Sequence, residues 1–212
     1  MRALLIIFLI FLSILPISAQ DPLIYKRVDI TITLNDDGSA IISLSYEIEN
    51  TARVPAVPGY GYIEFSNGRI SKASAFVNGR ETEVLVNGST VRYSVWEVIK
   101  PDEDINVRVN ITLSDFLSKG ILFNEFQAKI GPFSYWVEEA NLRVIPPNGM
   151  NIVYLEGKTQ SLKPGETMDV MGEVSRLPLP NIGIRWYPII WLIIIAVLVA
   201  AIALLRRRKR DR

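Results

Sequence analysis

The last 27 residues constrain this chain more than any other feature. Trp186-Tyr187-Pro188 leads into Ile189 to Leu205, a run with no charged or polar side chain, and Arg206-Arg207-Arg208-Lys209-Arg210-Asp211-Arg212 follows. Counted from Trp186 the apolar stretch is 20 residues, and a helix of that length covers roughly 30 Å, the hydrocarbon thickness of a bilayer. A helix apolar all round and ending in a basic cluster belongs in a membrane, not in a globular core. The basic tail, with Arg206, Arg207 and Arg208 next to the span, places that end in the cytoplasm by the positive-inside rule. Trp186, Tyr187 and Trp191 then fall where the outer aromatic belt lies. Pro188 suits the first helical turn, where its missing N–H costs nothing. The lipid bilayer is the first partner the sequence names.

The other end agrees. Arg2 is a short positive region, Ala3 to Leu15 is apolar over 13 residues, and Pro16-Ile17-Ser18-Ala19 offers small residues for a cut after Ala19. Thirteen apolar residues are short for a span, so residues 1–19 read as a signal peptide, with an uncleaved anchor as the alternative. Either way the expected topology is single-pass in the cell membrane, with the ectodomain outside and the C-terminus cytoplasmic.

Residues 20 to 185 are enough for one good-sized core or two small ones. Outside the signal and the tail the chain keeps 16 Lys/Arg against 21 Asp/Glu, about −5, so nucleic acid is not an expected partner. There is no Cys, so packing alone must stabilise an exported domain. There is also no His, which removes the commonest general base, the usual zinc ligand and the Ser-His-Asp arrangement. With no catalytic motif and no cofactor signature, the expectation is a protein that is not an enzyme.

The alternation of side chains predicts an all-β ectodomain. Val28, Ile30, Ile32 and Leu34 alternate with Asp29, Thr31 and Thr33, Asn35-Asp36-Asp37-Gly38 makes a turn, and Ala40 to Ile48 resumes the period of two. Asn78-Gly79 and Asn87-Gly88 predict a three-strand meander over Ala73–Val77, Thr82–Val86 and Val91–Val95. Ile105 to Leu113 is another strongly alternating strand. Beyond it the sequence predicts a polar connection over Ser114–Gly120, then strands over Ile121–Ile130, Phe133–Val137, Ala140–Ile145, Met150–Leu155 and Thr167–Val174. The predicted architecture is an antiparallel β-sandwich, one large or two small, dividing into residues 20–113 and 114–176. A proline-rich extended stalk over 177–185 leads to the transmembrane helix at 186–205 and the tail at 206–212.

Candidate sites rest on exposed aromatics. Thr51 to Tyr62 reads as a loop stiffened by Pro55, Pro58, Gly59 and Gly61 that carries Tyr60 and Tyr62, rings suited to docking a sugar or a protein; the competing reading folds these tyrosines into the core. In Gly131-Pro132-Phe133-Ser134-Tyr135-Trp136, alternation sets Trp136 on the face opposite Phe133 and Tyr135. Asn87-Gly88-Ser89 and Asn110-Ile111-Thr112 are glycosylation sequons. Asp36-Asp37 and Asp102-Glu103-Asp104 read as solvated turns, since neither has the ligand spacing of a calcium loop.

Val28-Asp29-Ile30-Thr31-Ile32 with Asp37-Gly38-Ser39-Ala40 resembles the start of uncharacterised archaeal single-pass membrane proteins, which have a signal peptide, a β-rich ectodomain and a C-terminal transmembrane helix. Some of these continue into a cytoplasmic winged-helix domain, whereas this sequence has seven residues after the span. The resemblance implies an envelope setting and no catalytic residues. The expected function is binding or envelope structure, with a surface-layer protein, a glycan or a membrane protein as partner. Two alternatives stay open: a cofactor-independent carbohydrate-active hydrolase using carboxylates, and an accessory subunit of a transporter or secretion complex, for which Ala196 and Ala200 offer a small-residue helix contact.

Overall fold

The computed structural model of the protein describes residues 22–157 and 160–210; the signal-peptide expectation for residues 1–19 lies outside them. Among the described residues there are fourteen strands and one helix: β1 Leu23–Leu34, β2 Ala40–Asn50, β3 Gly59–Phe65, β4 Arg69–Val77, β5 Arg80–Thr82, β6 Val84–Asn87, β7 Thr90–Val95, β8 Asp104–Ser114, β9 Leu117–Lys119, β10 Asn124–Gly131, β11 Trp136–Ile145, β12 Asn151–Glu156, β13 Gln160–Leu162, β14 Met168–Ser175 and α1 Trp186–Arg210. They form an all-β sandwich followed by a single C-terminal helix.

One sheet has the order β13-β11-β1-β2-β8-β4-β5; the other has β12-β14-β10-β3-β7-β6, with β9 beside β10. The pairings are antiparallel except β1 with β11, which run parallel. Strands from either side of Ser114 share both sheets, β1 with β11 and β3 with β10. Their buried side chains form one continuous core. The boundary at Ser114 therefore does not separate two packing units, because each segment supplies strands that the other's sheet needs.

The expected alternation is what builds this core. Val28, Ile30, Ile32 and Leu34 of β1, Ile42 and Leu44 of β2, and Ile105 to Leu113 of β8 are buried on one parity. At Lys26 a β-bulge resets the phase, so Tyr25 and Val28 both point inward. Two glycines sit under aromatic rings. A Cβ on Gly61 would lie 2.1 Å from Tyr93 Cζ, and one on Gly172 would lie 2.3 Å from Phe126 Cζ. In both cases the ring belongs to the residue directly opposite in the neighbouring strand, and it fills the space a side chain would take.

Several expected elements differ. Thr82–Val86 is two strands, because the chain changes sheets at Glu83: β5 pairs with β4, and β6 pairs with β7. The supposed polar connection 114–120 contains β9 and buries Phe116 and Leu117. Phe133–Tyr135 is not strand; β11 begins at Trp136 and runs unbroken to Ile145.

The 177–185 segment is not an extended spacer. It returns to the sandwich, where Arg185 Nη2 lies 2.8 Å from Glu125 and its Nε 2.7 Å from Glu173. The Trp186 indole donates to the Pro180 carbonyl at 2.9 Å. From there α1 is long and apolar enough to cross a membrane over Trp186–Leu204, and none of that window is buried against the sandwich. The helix continues through the basic residues to Arg210.

Candidate binding surface at the end of the sandwich opposite the helix

Register fixes which end of the sandwich is which. The β1–β2 turn lies at the helix end: the Gly38 carbonyl accepts from Phe116 and Leu117 N–H, and Leu117 pairs with Phe126 in β10, which begins beside the α1 junction. Asn50, at the other end of β2, is therefore at the opposite, distal end, opposite Leu23 and next to the Glu49–Asp104 pair. In the second sheet Phe65 of β3 pairs with Ile130 near the distal end of β10, so Gly59 and Tyr60 reach further out still.

Tyr60 and Tyr62 stand here, on strand β3 and not on a loop as their Pro/Gly neighbours suggested. Strand parity turns Gly61, Ile63 and Phe65 inward and presents Tyr60 and Tyr62 to solvent, 39% and 47% exposed. Both are surface side chains. Opposite them in β7, Ser94 and Arg92 share the outward parity, and Trp96 follows at 66% exposure. The Trp96 and Tyr60 rings meet edge to face with centroids 5.2 Å apart, and Arg92 Cζ lies 4.7 Å from the Tyr60 centroid on its face. Val54, Val57 and Val98 are also exposed here, on two segments joined by the Ala56–Ile99 bridge.

The support beneath this surface is polar and rigid. Asn50 is fully buried; its Nδ2 donates to the carbonyls of Val54 and Ile99, both at 2.8 Å, and its Oδ1 accepts from Ala52 N–H at 3.0 Å. One side chain thus ties the 51–57 segment to the segment that runs from Trp96 to Ile99. Behind β3 lies a cluster of buried tyrosines, with ring centroids 5.3 Å apart for Tyr25 and Tyr46 and 6.4 Å for Tyr46 and Tyr93. Burial pushes all three phenols well above their usual pKa, so they stay neutral and act as packing groups.

Trp136 also reaches the distal half, opposite Ile24 at the start of β1, and is 42% exposed. Its neighbour Tyr135 donates to the Pro58 carbonyl at 3.4 Å, linking this segment to the one before β3. Trp136 belongs to the other sheet, however, and the ring set against Tyr60 is that of Trp96. Trp96 and Arg92 are the residues that the sequence reading missed. The signal was their parity: in Val91-Arg92-Tyr93-Ser94-Val95-Trp96, a large ring sits in the outward phase.

Of the two sequon asparagines, Asn87 is exposed at the end of β6. Asn110 is half-buried on the inner strand β8 and accepts from the Ser43 hydroxyl at 2.8 Å. The acidic turns are local structures. Asp37 accepts from the Ser39 hydroxyl at 2.7 Å and from its N–H at 2.9 Å, which holds its carboxyl below the usual range. Among the described residues no group of three or more His, Cys, Asp or Glu is placed to hold a metal ion. A polar cleft of about 890 Å³ is lined by Glu156, Glu166 and Asp169 among others. Each of these carboxylates has a local partner: Tyr154 Oη at 2.8 Å, Lys163 N–H at 2.8 Å and Lys129 at 3.8 Å.

No protein-family model and no curated protein matches the chain. Among solved structures it is similar in part to an M1 zinc metallopeptidase from Deinococcus radiodurans, with TM-score 0.43 and 17% identity over 80% of this chain and 42% of that one. It is also similar to a putative nutrient binding protein from Legionella pneumophila, with TM-score 0.47 and 11% identity over 72% of this chain and 67% of that one. Leukotriene A4 hydrolase from Saccharomyces cerevisiae gives TM-score 0.44 and 5% identity over 72% of this chain and 29% of that one. The chain thus spans less than half the length of the peptidase and hydrolase chains.

Proposed function

We propose that this protein is a single-pass membrane protein whose β-sandwich stands outside the cell membrane and works by binding an envelope glycan or protein through its distal aromatic surface. The observation that carries this reading is the Tyr60–Trp96–Arg92 cluster: two exposed rings meeting edge to face, with a cation over the Tyr60 face, at the end opposite the apolar helix. Aromatic rings supply large contact area at low entropic cost, and a guanidinium above a ring keeps donors free for hydroxyl or carboxylate groups. Asn50 and the Ala56–Ile99 bridge hold the surface in place before a partner arrives, which lowers the ordering cost of association. Exposure of Asn87 near this sheet makes it the better placed of the two sequons for a glycan. The carboxylates of the 890 Å³ cleft are engaged in local bonds, so the binding reading is preferred over a carboxylate hydrolase.

The test is retention of the full-length protein, in detergent or nanodiscs, on carbohydrate and protein fractions of the source cell envelope. Wild type is expected to be held by one of the two fractions and Trp96→Ala to be lost from it. Equal retention of both forms would reject the distal surface as the binding site.

A further inference from the structure

The turn between β9 and β10 has the wrong chemistry for a turn in water. The turns after β1, β4 and β6 are Asn35-Asp36-Asp37-Gly38, Asn78-Gly79 and Asn87-Gly88, all polar, as exposed turns are expected to be. This one is Gly120-Ile121-Leu122-Phe123, and Ile121 is 97% exposed with Leu122 exposed beside it. The turn is also held tightly. A Cβ on Gly120 would lie 2.3 Å from the Phe123 carbonyl oxygen, Gly120 N–H donates to Asn124 Oδ1 at 3.2 Å, and the Ser175 hydroxyl donates to the Leu122 carbonyl at 2.8 Å.

Its place in the molecule explains the composition. Phe123 meets Tyr187, in the first turn of α1, edge to face at 6.5 Å between centroids. Arg185 is clamped between Glu125 and Glu173, and Glu173 also accepts from Trp186 N–H at 3.0 Å, so the turn and the helix start are held by contacts to the same two strands. We propose that the Ile121–Leu122 tip is a second membrane contact, seated in the headgroup–acyl boundary of the leaflet from which α1 emerges. This rests on reading α1 as spanning the bilayer. Ile182 and Ile184, exposed on the segment that enters α1, extend the same apolar surface. Lys119, Arg176 and Asp36 border a groove of about 400 Å³ beside the tip; with the tip in the boundary, the two basic side chains would meet lipid phosphates. Apolar side chains in that boundary gain burial that water cannot offer them, and basic neighbours add attraction to phosphate. With α1 as one point of attachment and the tip as another, the sandwich is fixed in tilt and rotation, and its distal surface faces away from the membrane.

The sequence contains no Cys, so single-cysteine variants of the full chain report on single positions. Ile121→Cys, Leu122→Cys, Leu85→Cys in the distal half and Ile194→Cys in the middle of α1 are labelled with an environment-sensitive fluorophore and reconstituted in phosphatidylcholine vesicles. Lipids carrying a nitroxide near the headgroup or deep in the chain then quench by depth. The labels at 121 and 122 are expected to shift to the blue and lose roughly half their emission to the shallow quencher, as an interfacial apolar group would. The label at 85 should be unaffected, and the one at 194 should respond to the deep quencher. If 194 is quenched while 121 and 122 behave like 85, the second contact is refuted and the membrane anchor stands. If 194 is not quenched, the anchor itself fails and the proposal falls with it.

Discussion

Glu173 is fully buried at the end of β14, and its carboxylate is 2.7 Å from Arg185 Nε. The same carboxylate accepts from the N–H groups of Trp186 and Tyr187 at 3.0 and 3.4 Å, which open α1. A sandwich side chain therefore caps the helix from outside the helix's own sequence, placing negative charge where unpaired N–H groups and the helix dipole favour it. The apolar helix is joined to the domain by this cap rather than by a free stalk.

Losing the buried acceptor should matter more than losing the exposed one. Glu173→Ala leaves two helix N–H groups without their acceptor and Arg185 with Glu125 as its remaining carboxylate partner, a loss of about 2 to 3 kcal/mol for a charged hydrogen-bonded network. Glu125→Ala removes only a partly exposed partner of the same arginine and should cost about 1 kcal/mol or less. Chemical denaturation of the full chain in nanodiscs measures both. Equal effects would show that the cap contributes little.

Gly61→Ala should destabilise the sandwich by about 1 to 3 kcal/mol, the usual cost of overpacking, because its Cβ would enter the Tyr93 ring. The three atoms nearest that Cβ all belong to the Tyr93 side chain, so in a Tyr93→Ala background the same substitution should cost much less. Denaturant midpoints of the two single variants and the double variant decide the matter; additive losses would contradict the account.

Buried tyrosines give the protein an alkaline limit. Tyr25, Tyr46 and Tyr93 have pKa values raised by burial above the unfolded value near 10. Their contribution is complete below pH 10 and is lost as pH rises from there toward the folded values, since the unfolded chain gives up those protons first. Absorbance of tyrosinate should accordingly appear in two stages, with these three of the eight tyrosines ionising only as the fold melts. A single smooth titration with the fold intact would refute this.

The strands with unbroken alternation, β1, β2 and β8, were legible because each has one face on the core and one in water, and the period of two survives in the residue types. β3 was not. Gly59-Tyr60-Gly61-Tyr62 lacks an apolar inward face of its own, and Tyr93 from the next strand supplies the missing bulk, a tertiary fact that a local pattern does not contain. Tyr60 and Tyr62 were consequently assigned to a loop, with surface docking and burial in the core both left open by the sequence. Trp96 was hidden by its position just beyond an alternating strand, and the Glu173 cap because its donors lie twelve or more residues away in sequence. The helix, by contrast, was plain from composition.

Orientation has its own check. If the basic residues that end α1 hold the C-terminus in the cytoplasm, protease with access to the outer face of the membrane in intact cells should remove the sandwich and spare a tag placed after Arg212. Loss of the tag would reverse the topology and move the distal surface to the cytoplasmic side.

The most direct test of the central claim is paired measurement of binding and melting for Tyr60→Ala and Trp96→Ala, using the envelope fraction that retains wild type. Both rings are exposed and the Asn50 bonds beneath them are untouched, so each variant should weaken binding by about 1 to 3 kcal/mol, as anchor truncations do, with little change in melting temperature. Unchanged binding, or a loss of binding that only follows a large fall in melting temperature, would contradict the account and return these rings to a structural role.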